Sequence, residues 1–156
     1  MSSKVVGDRA QARERQTVGR TAAWMAKQVE IGLTSVDLSL PQYRVLGLLD
    51  ESPSFSSAMA ERLAVRPPSI TAIIDGLVAR GLVERRAVES DRRRVDHSLT
   101  DSGLAALTSA DAAVAERLAD IAGCLDEPAD TQRALDGLVT WRHALIAFRS
   151  ARKAGR

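Results

Sequence analysis

The 156-residue chain carries 22 Lys and Arg against 20 Asp and Glu, a formal net charge of +2, with 45% hydrophobic and only 3% aromatic residues. One cysteine excludes an internal disulfide, and His97 and His143 stand far apart without acids or thiols at ligand spacing, so neither a metal site nor a cofactor is expected. No stretch approaches the roughly eighteen apolar residues of a membrane span, and Met1 to Arg20 lacks the apolar core of a secretion signal, which points to a cytoplasmic protein.

Residues 1–14 lack apolar periodicity and read as a flexible basic arm. From Val18, the residues Ala22, Met25, Val29 and Leu33 recur at three to four, the stripe of an amphipathic helix. Ser39 ahead of Leu40 and Pro41 is a helix start, since serine accepts from orphan amides and proline suits the first turn; a second helix runs to about Asp50. After a polar loop, Glu51 to Phe55, either Ser56 or Ser57 caps a short third helix bearing Met59, Ala60 and Leu63. Ala64 to Pro67 turns the chain, and Pro67 and Pro68 open a fourth helix that buries Ile70, Ile73, Ile74 and Leu77 and ends at Gly81.

Beyond Gly81 the period changes from 3.6 to 2. Leu82 to Ala87 reads as one strand; Val95, His97 and Leu99 alternate with polar neighbours as another, and Val88 to Arg93 form the charged turn of a hairpin. Thr100 caps a fifth helix with the seam Leu104, Leu107, Val114, Leu118, Ile121 and Leu125, broken by Pro128. A sixth helix carries Leu135, Leu138, Trp141, Leu145 and Phe148 on one face, and the last residues, 150–156, read as a flexible basic tail.

Charge is segregated along this order. Residues 1–27 sum to +4, 28–60 to −3, 61–94 to +3, 95–141 to −7 and 142–156 to +5. Nineteen of the 22 cations are arginine, whose forked donors suit phosphates and guanine edges. Two short helices joined by a tight turn, then a hairpin tipped with arginine, make a winged helix-turn-helix. Such a helix, about 12 Å across, fits the major groove of DNA, and the hairpin reaches the narrow minor groove, where negative potential is strongest. The fold expected is mainly α with a small β-hairpin wing: a winged helix-turn-helix lobe plus a helical dimerisation region. No glycine-rich phosphate loop or nucleophile in a recognisable setting is present, which argues against an enzyme.

The strings Leu-Pro-Gln-Tyr-Arg-Val-Leu (40–46), Ala-Glu-Arg-Leu-Ala-Val (60–65), Pro-Ser-Ile-Thr (68–71), Gly-Leu-Val-Glu-Arg-Arg (81–86), Asp-Arg-Arg (91–93) and Ser-Leu-Thr-Asp-Ser-Gly (98–103) follow in order. Together they resemble the MarR family of transcriptional regulators over residues 15–149, most densely from Leu38 to Gly103. The resemblance implies a homodimer on a pseudo-palindromic double-stranded DNA operator, with release by a small-molecule effector. It places the winged lobe at about 38–100 and the dimerisation helices at about 15–36 and 101–149.

Carried over by position, the resemblance makes Pro68, Ser69 and Thr71 the start of the recognition helix. Asp91 would steady Arg93 in the minor groove, with Arg92 and Arg94 on phosphates and Arg85 and Arg86 adding backbone contacts. Two positions depart from the family pattern: Ala72 and Ser90 stand where arginines are common, and Arg66, one turn earlier, is placed to compensate. Trp24, Met25 and Tyr43 are the bulky residues nearest the sensing pocket that the family places between dimer helices and lobe; the alternative is that they fill the core. Cys124 reads as a buried, inert thiol at the C-terminal end of the fifth helix, where the dipole opposes a thiolate. Two other functions stay open at this level: a winged-helix protein-interaction module, or a regulator or activator that works without an effector.

Overall fold

In the structure, a computed structural model, the backbone is described for residues 2–88 and 91–154 and the side chains for 16–86 and 95–151. Helix α1 (Ser2–Leu33) passes through a 3-10 turn (Thr34–Val36) into α2 (Leu40–Glu51), α3 (Ser56–Leu63) and α4 (Pro67–Ala79). Strands β1 (Val83–Val88) and β2 (Asp91–Leu99) follow, then α5 (Asp101–Ala122) and α6 (Pro128–Ala154). The chain forms two compact units, Met1–Val114 and Ala115–Arg156.

Local chemistry explains most of the boundaries in the first unit. Ser39 Oγ accepts from the Gln42 amide at 3.3 Å while Gln42 Oε1 accepts from the Ser39 amide at 2.9 Å, a reciprocal cap that starts α2 with proline in its first turn. Helix α2 then buries Val45, Leu46, Leu48 and Leu49, and it packs against α3, α4 and β2. Arg44 donates to the Leu63 carbonyl at 3.3 Å, satisfying an orphan acceptor at the end of α3, and Arg62 pairs with Glu51. Leu46, Met59, Ile70, Ile74 and Leu77 are almost wholly buried; each such side chain is worth about 1.5–3 kcal/mol.

Gly81, at φ +69°, turns the chain out of α4 in the left-handed region, and Leu82 donates back to the Leu77 carbonyl at 3.0 Å. The strands pair antiparallel from Val83↔Leu99 to Val88↔Asp91, with a register shift between Ala87 and Val88. A further short pairing joins this hairpin. Ser54 and His97 exchange both backbone hydrogen bonds at 3.1 Å, and both residues are buried. Thr100 Oγ1 accepts from the Gly103 amide at 3.0 Å and starts α5, which buries Leu107, Ala110 and Val114.

In the second unit, the remainder of α5 ends where Gly123 and Cys124 donate to the carbonyls of Ala119 and Ile121. Thr131 Oγ1 donates to the Ala122 carbonyl at 3.0 Å, tying the start of α6 to the end of α5. Trp141 and Phe148 are 62% and 61% exposed, and Leu145 and Ile146 are also exposed.

Several expectations are corrected by these observations. Helix α1 begins at Ser2, and α6 runs to Ala154, because Ala, Arg, Lys and Gln favour helix without any apolar stripe to read. The residue capping α3 is Phe55, with no side-chain bond, and Ser56 is already helical, so neither serine is the cap. Strand β1 runs to Val88 and strand β2 begins at Asp91, which puts Val88 and 91–93 on strands instead of in the expected turn; residues 89–90 lie outside the described residues. Helix α5 ends at Ala122, so Cys124 lies in the link to α6 and is exposed instead of buried.

Gly81→Ala places a Cβ in open space but in the left-handed region, so it is expected to lower unfolding free energy by about 1–2 kcal/mol in urea at fixed protein concentration. Leu77→Ala, which opens a cavity, is expected to cost about 2–5 kcal/mol in the same assay.

Candidate nucleic-acid interface

The turn between α3 and α4 is held by backbone hydrogen bonds, next to the Leu63 carbonyl that Arg44 caps. Ala64 sits at φ +54°, and the amides of Ala64 and Val65 donate to Glu61 and Ala60 at 3.2 and 3.0 Å. Arg66 in extended geometry then introduces α4, its carbonyl accepting from Ser69 at 3.0 Å and Ile70 at 3.2 Å. Since Pro67 and Pro68 have no N–H, this helix start offers a partner its side chains more than its amides.

Helical periodicity sorts those side chains. Ile70, Ile74 and Leu77 face inward, whereas Arg66, Pro68, Ser69, Thr71 and Ala72 are exposed together over the first turns. Thr71 Oγ1 donates to the Pro67 carbonyl at 3.1 Å, which uses its hydrogen and leaves its lone pairs outward as acceptors. Ala72 presents only a methyl group where the family pattern often has a guanidinium.

On the wing, register and charge are interlocked. Arg85 lies opposite His97 and pairs with Asp75 of α4, so the strand is tied to that helix by an ion pair. Arg86 lies opposite Asp96 and pairs with Glu84 at 2.5 Å; Glu84 also accepts from Ser98 Oγ at 3.1 Å. One oxygen of Asp96, Oδ1, is buried without a hydrogen-bond partner among the described residues. Asp91, Arg92, Arg93 and Arg94 are placed on β2 by the backbone, with side chains outside the described residues, as is Ser90 altogether. The four α4-proximal candidates, Arg66, Pro68, Ser69 and Thr71, are thus brought onto one exposed surface. Sequence reasoning missed Asp75, which carries no local signal because its partner lies ten residues away on a strand.

The three expected pocket residues are not gathered in a described cavity. Trp24 is 71% exposed, Met25 and Tyr43 are half-buried, and a shallow cavity of about 240 Å³ is lined instead by Leu49, Asp50, Ser98, Leu99, Thr100, Asp101 and Leu104. Tyr43 Oη donates to Asp111 Oδ1 at 2.5 Å, joining α2 to α5. Burial first, then that hydrogen bond and the Asp111 charge, push the phenol above the ordinary tyrosine range. Among the described residues no group of three His, Cys, Asp or Glu could hold a metal, and no helix is long and apolar enough to cross a membrane.

A helix-turn-helix with an exposed second helix and a paired hairpin beside it defines the class of winged-helix DNA-binding regulators. Residues 36–94 match the model of the MarR family. The HTH-type transcriptional repressor Rv2887 of Mycobacterium tuberculosis is 32% identical over 96 residues, which span 61% of this chain and 69% of that protein. The chain belongs to the MarR family. Among solved structures, the transcriptional repressor CouR bound to a 23-mer DNA duplex matches with TM-score 0.65 and 31% identity, over 81% of this chain and 89% of that chain. Rv2887 in complex with p-aminosalicylic acid matches with TM-score 0.65 and 26% identity, over 82% of this chain and 96% of that one.

Tyr43 is the only tyrosine, so its ionisation can be followed alone by phenolate absorbance. It is expected to stay protonated past the value of about 10 at which free tyrosine titrates, and Asp111→Asn should lower its pKa only part of the way, because burial remains. An unchanged titration in the variant would remove Asp111 from the shift. Asp75→Asn is expected to change stability by less than about 1 kcal/mol, since its pair with Arg85 is half exposed; a larger loss on urea unfolding would contradict this.

Proposed function

We propose that the chain is a ligand-responsive transcriptional repressor that binds a pseudo-palindromic operator as a homodimer in the cytoplasm. The observation that carries this reading is the exposed start of α4, where Arg66, Ser69 and Thr71 stand clear of the core beside the arginine-bearing wing. Arginines neutralise phosphates and supply affinity, while the side chains at the start of α4 meet base edges in the major groove. On the wing, Asp91 steadies Arg93 in the minor groove, Arg92 and Arg94 reach phosphates, and Arg85 and Arg86 add contacts where their acidic partners release them.

The second copy is argued from the exposed apolar residues of α6, Trp141, Leu145 and Phe148, which water would otherwise face. A two-fold pair of lobes then meets two half-sites about one helical turn apart. Trp24, Met25 and Tyr43 are proposed to face the effector, and the complex of Rv2887 with p-aminosalicylic acid supports a small aromatic carboxylate as its class. Effector binding would act by favouring a spacing of the two α4 helices that no longer fits the operator.

The test is selection of bound sequences from a random duplex pool by the purified full chain, with its mass measured in solution. Enrichment of a pseudo-palindrome by a species of twice 16.8 kDa is expected; a monomer, or a dimer that enriches nothing, overturns the reading. On the selected operator, Arg93→Ala should leave the dimer intact, weaken binding across sequences and reduce the salt slope by about 1, measured by titration at several salt concentrations.

A further inference from the structure

The turn that leaves α4 meets the start of α5 through backbone groups and one hydroxyl. Thr100 Oγ1 donates to the Gly81 carbonyl at 2.7 Å and accepts from the Gly103 amide at 3.0 Å, while the Thr100 amide donates to the Leu82 carbonyl at 3.2 Å. One residue therefore holds the turn that leaves α4, at Gly81 and Leu82, and the first turn of α5 at once. Gly103 is buried against the same turn: a Cβ built on it would lie 1.9 Å from the Leu82 carbonyl oxygen and 2.9 Å from the Leu82 carbonyl carbon. Leu82 cannot give way freely, being buried itself and bonded through its amide to Leu77.

We infer that Thr100 is a positioning residue that sets which half-site spacing the dimer accepts, by locking the exit of α4 to the start of α5 across the Gly103–Leu82 contact. The inference rests on the operator reading proposed above. Its lever is geometric. Helix α4 has 13 residues, so its reading end lies about 20 Å from the joint, and a tilt of about ten degrees moves that end by about 3 Å, close to the rise of one base pair. Because α2, α3 and β1 all pack on α4, the lobe follows the tilt, with the Tyr43–Asp111 hydrogen bond as a second tie to α5. Loss of the Thr100 hydroxyl would leave each lobe able to read its own half-site but would loosen the angle between them.

The experiment uses the full-length dimer and duplexes in which the selected half-sites are moved apart or together by one base pair, with a duplex carrying a single half-site as control. Thr100→Val keeps the shape and removes the hydroxyl; Thr100→Ser keeps the hydroxyl. With dimer mass and helix content unchanged, Thr100→Val is expected to bind the single half-site within about two-fold of wild type while its preference for the selected spacing over the shifted ones falls about five-fold, and Thr100→Ser is expected to match wild type. Spacing discrimination as sharp as wild type in Thr100→Val overturns the inference. So does a parallel loss on the single half-site, which would mean that the hydroxyl only supports the lobe. A wild-type protein with no spacing preference defeats the paired half-site reading itself, and that failure shows before any variant is made.

Discussion

The apolar face of α4 is the constraint on which the lobe depends. Ile70, Ile74 and Leu77 are at most 1% exposed, and α2, α3 and β1 all pack on the helix that carries them. Burying one stripe of a helix obliges the opposite stripe to face out, so the packing that holds the lobe together also presents Ser69, Thr71 and Ala72. The interface is thus a by-product of the core, and any shift of α4 within its packing would move the presented surface with it.

Around that helix the polar groups act more as fasteners than as free charge. Asp75 holds Arg85, Glu84 holds Arg86 and receives Ser98, and Glu51 holds Arg62. These exposed pairs contribute little to stability, but each keeps an arginine in a defined place. An arginine parked on an acid can be transferred to a phosphate with less loss of side-chain freedom than one ordered from solvent.

Aromatic residues are scarce, five in the whole chain, yet Trp24, Trp141 and Phe148 all stand on the surface of the single chain. A sequence that placed its few large apolar groups for a monomer core would bury them. The monomer core is instead built from Leu, Ile, Val and Met, in keeping with the second copy proposed for the exposed face of α6.

Much of this was legible in order and spacing alone. The Ser39 start, the paired prolines at 67 and 68, the Gly81 stop, the change of period after it and the Thr100 cap are local signals, each decided within a few residues by backbone chemistry, and the structure has each of them. The Ser54–His97 pairing, the Asp75–Arg85 ion pair, the exposure of Cys124 and the contact of Gly103 with the Leu82 carbonyl were not legible, for they join residues from separate elements. Periodicity also missed the helix over the first residues of α1, where propensity without a stripe leaves nothing to read. By itself, then, the sequence determined the elements, their order and the face of α4 that must be buried, because those follow from local propensity and the period of apolar residues. Only the tertiary structure decided which arginines are held by which acids and how α4 is locked to α5, because such contacts depend on distances that close only after the elements have packed.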